Sequence, residues 1–217
     1  TTLIWLGGGT TGSAGWYTMS PTITLDSAEP GCTTYYHWGT DTPSEYAGPF
    51  TAPEGVNTLS FWSVDAIGNT EAPAKTREFT VDSVAPAAPA LVTATAAGEN
   101  AIDVSWSAVT DDMDGGADAS GITLYGVYVD GMWLADTSDT SYQVTGLDQN
   151  TTYEIAITAL DVAGNEGPSA SDTATTDAST NHITGPAARA AIAAISATTP
   201  TTTIARNSDD GVNLSSC

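Results

Sequence analysis

The sequence predicts an all-β protein made of two antiparallel β-sandwiches in series, followed by a C-terminal extension. Apolar side chains alternate with polar ones, as in "TTYEIAITALD" from residue 151, where Tyr153, Ile155 and Ile157 share one face of an extended chain. Turn residues separate these short segments. The motif D-x-x-G-N follows a strand twice, at Asp65 and Asp161, about 100 residues apart, the size of one sandwich domain.

The predicted strands are short and evenly spaced, as in a sandwich, and no amphipathic helix interrupts them up to about residue 180. In chain order they are PTITL from 21, TTYYHW from 33, NTLSFWSVD from 57, REFTV from 77, AIDVSW from 101, TLYGVYV from 123, MWLAD from 132, SYQVTGL from 141 and TTYEIAITALD from 151.

Each D-x-x-G-N motif suits a tight hairpin, because Asp accepts backbone N–H bonds across the turn while Gly and Asn tolerate positive φ. We expect Asp65 and Asp161 to cap their turns. Calcium binding is the alternative role, and the small number of adjacent oxygen ligands makes it the weaker one.

A proline-containing run separates the two predicted modules. Pro86 and Pro89 directly follow a strand, and proline favours an extended spacer and cannot donate to a ladder. The predicted domains are residues 1–84, residues 85–178 and an Ala/Thr-rich extension over 179–217. That extension resembles the start of another module, or a strand that completes a neighbour's sheet.

Two family resemblances follow from these segments. The second module has a pattern of core residues at Pro89, Trp106, Tyr125, Val127, Leu147 and Tyr153, and with this pattern it resembles a fibronectin type III domain. Its Leu147-to-Tyr153 spacing resembles the tyrosine corner, in which the phenol bonds upstream backbone, and Gln149 stands where that family often has proline.

The first module contains Gly15-Trp16-Tyr17, SPTITLDS from residue 20, TYYHW from 34 and FTVD from 79. With these segments, residues 15–82 are similar to a bacterial immunoglobulin-like repeat. That resemblance implies a positional role without shared chemistry.

Charge excludes two classes of partner. Asp and Glu number 26 against 4 Lys and Arg, a formal net charge of −22. So acidic a chain repels nucleic-acid phosphates and anionic lipid. No apolar run is long enough to span a membrane, and the absence of an initiator Met and a signal pattern predicts a mature or excised piece. The composition is typical of secreted or cell-surface proteins.

Catalytic motifs are absent from the sequence. There is no H-E-x-x-H, G-x-S-x-G, phosphate loop or zinc-spaced Cys pair. His37 is expected to pack among aromatic residues. Cys32 and Cys217 could form a disulfide with each other, form disulfides with another chain, or stay unbonded. Asn150 and Asn213 fit the pattern of N-glycosylation acceptors.

One acidic loop is a candidate Ca²⁺ site. The segment "TDDMDGGADASG" from residue 110 concentrates carboxylates and glycines between predicted strands, and Ca²⁺ takes several oxygen ligands from a turning backbone. A solvated acidic loop is the alternative. The candidate ligands are Asp111, Asp112, Asp114 and Asp118.

Tryptophan is abundant enough to suggest carbohydrate binding. The 6 Trp residues exceed what two small cores need. Trp106 is expected in the core, whereas alternation places Trp62 and Trp133 on outer faces or sheet edges, where they are available to a polysaccharide or to a neighbouring module.

The sequence-based function is a non-catalytic, extracellular pair of structural or adhesive modules from a cell-surface protein or a self-assembling fibre. The alternative is an accessory region, for carbohydrate binding or spacing, of a secreted carbohydrate-active enzyme. Self-assembly would pair the Thr-rich first dozen residues, or the tail after 185, with another copy's sheet edge.

Overall fold

The computed structural model of the chain describes residues 1–111 and 119–179. Residues Thr1–Ala178 form one compact unit. Every regular element in the described residues is a β-strand, which confirms the all-β prediction. Accordingly, the described part contains no helix with the length and apolarity needed to cross a membrane.

The first part of the chain forms a sandwich of a three-stranded and a six-stranded sheet. The strand orders are β1-β4-β7 and β2-β3-β9-β8-β5-β6, antiparallel except for one parallel pairing of Tyr17 with Val81. The strands are β1 (Thr2–Gly7), β2 (Thr10–Thr11), β3 (Tyr17–Met19), β4 (Thr22–Ser27), β5 (Thr33–Trp38), β6 (Ser44–Glu45), β7 (Phe50–Thr51), β8 (Gly55–Val64) and β9 (Lys75–Val81).

The first core lies between these sheets because alternate residues of the paired strands point inward. Ile23 and Leu25 come from β4, whereas Leu59 and Phe61 come from β8, and all four are buried. Trp62, between two inward residues of β8, lies on the outer face as alternation predicts.

The second part forms a sandwich with a three-stranded and a four-stranded sheet. The strand orders are β10-β11-β14 and β13-β12-β15-β16, and all pairings are antiparallel. The strands are β10 (Thr93–Ala96), β11 (Ala101–Ser105), β12 (Ile122–Val129), β13 (Met132–Thr137), β14 (Ser141–Thr145), β15 (Thr152–Asp161) and β16 (Ala170–Thr175).

Aromatic residues of the second core lie where the fibronectin resemblance implies. Trp106 is 6% exposed and meets Tyr125 edge-on at a ring-centroid distance of 5.4 Å. The Tyr153 hydroxyl accepts a hydrogen bond from the upstream Asp148 N–H at 2.9 Å, which confirms the tyrosine corner. Val127 and Ile157 are fully buried beside them.

The hairpin between β12 and β13 follows from its two turn residues. Asp130 and Gly131 have φ of 49° and 77°, and two successive positive φ angles define the turn whose twist matches paired strands. Aspartate tolerates this region better than most residues, and glycine has no Cβ to clash.

The amino-terminal residues belong to the first sandwich. β1 pairs along its length with β4, from Thr2 opposite Ser27 to Gly7 opposite Thr22. Because β1 ends its sheet, pairing of its other edge with another copy stays a prediction. The tail after residue 185, also considered for assembly, lies outside the described residues.

Candidate functional sites at a carboxylate cluster and an aromatic sheet face

Both D-x-x-G-N motifs form the same capped turn, as predicted. Asp65 accepts from the backbone N–H of Asn69 at 2.8 Å and from its side-chain amide at 2.7 Å. Asp161 accepts from the corresponding groups of Asn165 at 2.7 and 2.8 Å. Capping is thus confirmed for both aspartates, yet their surroundings differ: Asp161 is 1% exposed, while Asp65 is partly exposed.

The second turn is partly buried because the first sandwich docks on it. The Asn165 amide donates to the main-chain oxygen of Asp82 at 2.8 Å, and Ser13 N–H donates to the Ala163 oxygen at 2.6 Å. A Cβ on Gly12 would stand 2.0 Å from that same Ala163 oxygen, so glycine permits the approach. The turn therefore joins the two sandwiches.

Three carboxylates meet at this junction. Asp82 follows β9, Asp161 ends β15, and Asp111 follows β11 in the loop that the sequence marked as acidic. One oxygen of each lies within 4.8 Å of the others. Asp82 is fully buried, and its carboxylate accepts from Ser120 N–H at 3.0 Å.

Asp111 is the least satisfied member of this carboxylate cluster. Its Oδ2 accepts from Gly121 N–H at 2.8 Å, while its Oδ1 is shielded from solvent with no hydrogen-bond partner among the described residues. Burial raises the pKa of Asp111 despite the Gly121 bond, and the charges of Asp82 and Asp161 raise it further. This cluster favours either a protonated Asp111 or a bound cation.

The geometry of the cluster suits a hard divalent cation. Ca²⁺–oxygen distances are near 2.4 Å, so two ligands of one ion are at most about 4.8 Å apart. Of the four aspartates predicted from sequence, Asp111 belongs to the cluster, whereas Asp112, Asp114 and Asp118 lie outside the described residues. Sequence reasoning missed Asp82 as a ligand candidate, and for Asp161 it favoured capping over calcium binding.

Trp62 and Trp133 lie in different environments. Trp62 is half-buried; Tyr35 stacks on it at a centroid distance of 6.1 Å, and His37 meets it edge-on at 5.8 Å. Trp133 is 60% exposed on β13, an edge strand of the second sandwich. Trp133 therefore offers more aromatic surface to a ligand than Trp62 does.

Trp133 lies beside a second outward aromatic residue that the sequence analysis did not single out. Tyr128 of β12 is its partner across the ladder. The Tyr128 hydroxyl donates to Glu166 at 2.9 Å, and the Trp133 indole N–H donates to Asp136 at 3.0 Å. The Glu166 bond raises the pKa of Tyr128. Alternation along β12 was the signal that could have identified Tyr128.

Other candidate residues have simpler roles. His37 packs against Trp62, in agreement with the packed-imidazole prediction. Cys32 is a half-buried free thiol in the described part, while Cys217 lies beyond it. Asn150 has φ of 51° in a turn, and Asn213 lies outside the described residues.

Comparison with known proteins identifies the second sandwich. Residues 87–175 match the family model of the fibronectin type III domain, so this part of the chain is a fibronectin type III domain. The alignment with the solved structure of domains A168–A170 from titin covers 81% of this chain and 66% of the titin chain, with a TM-score of 0.51 and 19% identity. That likeness shows the fold alone.

Several curated enzymes contain a region similar to this chain. Exoglucanase B of Cellulomonas fimi is 32% identical over 167 residues, covering 74% of this chain and 15% of that enzyme. Alpha-amylase of Niallia circulans is 39% identical over 104 residues, covering 48% of this chain and 7% of that enzyme. Chitinase Chi52 of Paenibacillus xylanexedens is 32% identical over 107 residues, covering 49% of this chain and 19% of that enzyme. The chain thus spans less than a fifth of each of these relatives.

Proposed function

We propose that this chain is a non-catalytic accessory region of a secreted, carbohydrate-active enzyme. One observation carries the proposal. The match to Exoglucanase B covers 74% of this chain but only 15% of the enzyme, and its 167 residues extend well beyond the fibronectin domain at 87–175. The chain therefore corresponds to a minor part of a larger enzyme, where an accessory region is expected.

The comparisons favour this function over an adhesive or fibre-forming module pair. The relatives bear the names of an exoglucanase, an alpha-amylase and chitinases. The carboxylate cluster found in the described residues lies within the junction between the sandwiches, and two of its three members are buried. We therefore assign catalysis to another part of the enzyme.

We further propose the module boundaries. Residues 1–84 form an immunoglobulin-like module, residues 85–178 the fibronectin module, and residues 179–217 an extension. The separate buried cores of the two sandwiches support this division. The hydrogen bonds between Asp82 and Asn165 and between Ser13 and Ala163 support a stiff spacer, because they oppose rotation of one module against the other.

Immunodepletion tests the proposed function. Antibodies raised against the purified chain are used to deplete the culture medium of the producing organism, and hydrolysis of cellulose, chitin and starch is then measured. We expect one of these activities to fall in proportion to the antigen removed. A control serum should leave it unchanged. Antigen confined to the cell surface, with undiminished activity in the medium, would contradict the proposal and favour an adhesive role.

A further inference from the structure

We propose that the outer face of the β12–β13 hairpin binds neutral polysaccharide through an aromatic platform, defined as Trp133 and Tyr128 with the carboxylates of Asp136 and Glu166. This inference rests on the proposed function and deepens it, since it assigns the substrate-contacting surface to the fibronectin module.

Both rings of the platform are fixed at their polar ends. The Trp133 indole reaches along its strand to Asp136, and the Tyr128 hydroxyl reaches to Glu166, which also accepts from Thr158 at 2.8 Å. A ring anchored in this way loses little further freedom when a ligand binds, so less of the interaction energy is spent on ordering it.

A glycine lets Tyr128 lie across the sheet. A Cβ at Gly126 would stand 3.1 Å from Cε2 of Tyr128 and 2.7 Å from Oγ1 of Thr158. Gly126 is itself buried on this outer face, opposite Asp136 on β13. The phenol ring therefore covers the glycine and presents its other face outward, next to the strand that bears Trp133.

The chemistry of the platform matches a pyranose ring. A sugar presents an apolar C–H face, which packs on an aromatic face, and a rim of hydroxyl donors. Asp136 and Glu166 each carry a second carboxylate oxygen that can accept such a hydroxyl, and hydrogen bonds to charged acceptors are stronger than neutral ones. Few precisely placed polar groups around an apolar surface are typical of ligand sites.

Charge selects the class of polysaccharide. The chain has a formal net charge of −22, and the platform itself contributes two carboxylates. A uronic-acid polymer would be repelled, whereas a neutral glucan or an N-acetylated polymer would not.

The test is retention of the purified chain on insoluble cellulose, chitin and starch, with insoluble polygalacturonate as the acidic comparison. We expect retention on at least one neutral polymer and none on polygalacturonate. Trp133→Ala should weaken binding about tenfold or more, as buried aromatic contacts at interfaces do. Tyr128→Phe, which keeps the ring but releases it from Glu166, should weaken it less.

Trp5→Ala is the matched control. Trp5 is 62% exposed on β1 of the first sandwich, so the same change removes equal apolar exposure away from the platform. Binding by Trp5→Ala should equal that of the unmodified chain. Equal loss in Trp5→Ala and Trp133→Ala would overturn the platform, as would retention on no neutral polymer. Thermal melting of each variant separates loss of the site from loss of folding.

The two proposals fail in different ways. If immunodepletion removes polysaccharide hydrolysis but the purified chain is retained on no neutral polymer, the chain is a spacer and the platform is wrong. If the chain is retained through Trp133 while depletion leaves hydrolysis unchanged, the platform stands and the enzyme assignment falls.

Discussion

At the scale of one residue, the raised pKa of Asp111 predicts how the stability of the fold changes with pH. Its pKa is raised in the folded protein by burial and by two neighbouring carboxylates. When the pKa of a group is higher in the folded chain than in the unfolded chain, its protonated form contributes to folding stability. That contribution is fully present below the ordinary aspartate pKa of about 4 and is lost as the pH rises through the pKa of the folded state. Ionised Asp111 therefore lowers the free energy of unfolding at neutral pH when no cation is present.

Asp111→Asn should accordingly raise the melting midpoint at pH 7 in chelator, and its advantage should shrink as pH falls toward 4. The measurement is thermal melting across pH 3.5–7. Asp172→Asn is the control of opposite sign, because backbone hydrogen bonds from Ala94 and Thr173 lower the pKa of Asp172. That stabilisation is present above the ordinary pKa, so the Asp172 variant should lose stability at pH 7. A lower midpoint for the Asp111 variant in chelator would contradict this account.

Calcium binding at the cluster that contains Asp111 gives a second prediction. If Asp82, Asp111 and Asp161 coordinate one ion, millimolar Ca²⁺ should raise the melting midpoint of the unmodified chain, since an ion bound to the folded state alone must stabilise it. Asp111→Asn should show a much smaller rise because a ligand charge is lost. Equal midpoints with Ca²⁺ and with chelator would contradict a calcium site at this cluster.

At the scale of elements, β15 should be the most sensitive strand of the second sandwich. It lies between β12 and β16, and Ile157 is fully buried in its middle. Ile157→Ala should lower the free energy of unfolding by about 2–5 kcal/mol, through lost burial plus the cavity left behind. Exposed Trp5→Ala should change it by less than about 0.5 kcal/mol. Urea denaturation measures both, and equal losses would contradict the assigned core.

Alternation predicted the central strands well and the edge strands poorly. β8 has Leu59 and Phe61 at alternate positions, and β15 has Ile155 and Ile157, so their inward faces can be identified from sequence alone. β10 and β16 consist mainly of Thr and Ala, so their apolar contrast is weak, and β1 is a run of four consecutive apolar residues in which polar and apolar positions do not alternate. These edge strands form because neighbouring strands supply hydrogen bonds, which no local pattern records.

The candidate sites were only partly predictable for a related reason. Trp133 and Asp111 were identified by residue type and local spacing. The residues that complete the two sites were not identified. Asp82 is held by Asn165 and Tyr128 by Glu166, and both contacts join residues that are far apart in the sequence. Such contacts depend on how sheets and modules pack, and a single sequence without its fold does not specify them.

At the scale of the whole molecule, the repeated turn provides an internal comparison for the junction. Asn69 and Asn165 make equivalent hydrogen bonds to their own aspartates, but only Asn165 also donates to Asp82 of the other sandwich. Replacing either with alanine removes the same side-chain hydrogen bond to its own aspartate and keeps the backbone one. The difference between the two variants therefore measures the contact between modules.

We expect calorimetry to show one cooperative transition for the unmodified chain and for Asn69→Ala. Asn165→Ala should be less stable than Asn69→Ala by about 1 kcal/mol, the net value of one hydrogen bond, which corresponds to roughly 2–4 °C in a chain of this size.

Gly12→Ala should have the larger effect, because its Cβ would meet the Ala163 backbone oxygen and force the sandwiches apart. Its transition should split into two, one for each core. A single unshifted transition for Gly12→Ala would mean that the modules unfold together for reasons other than this junction.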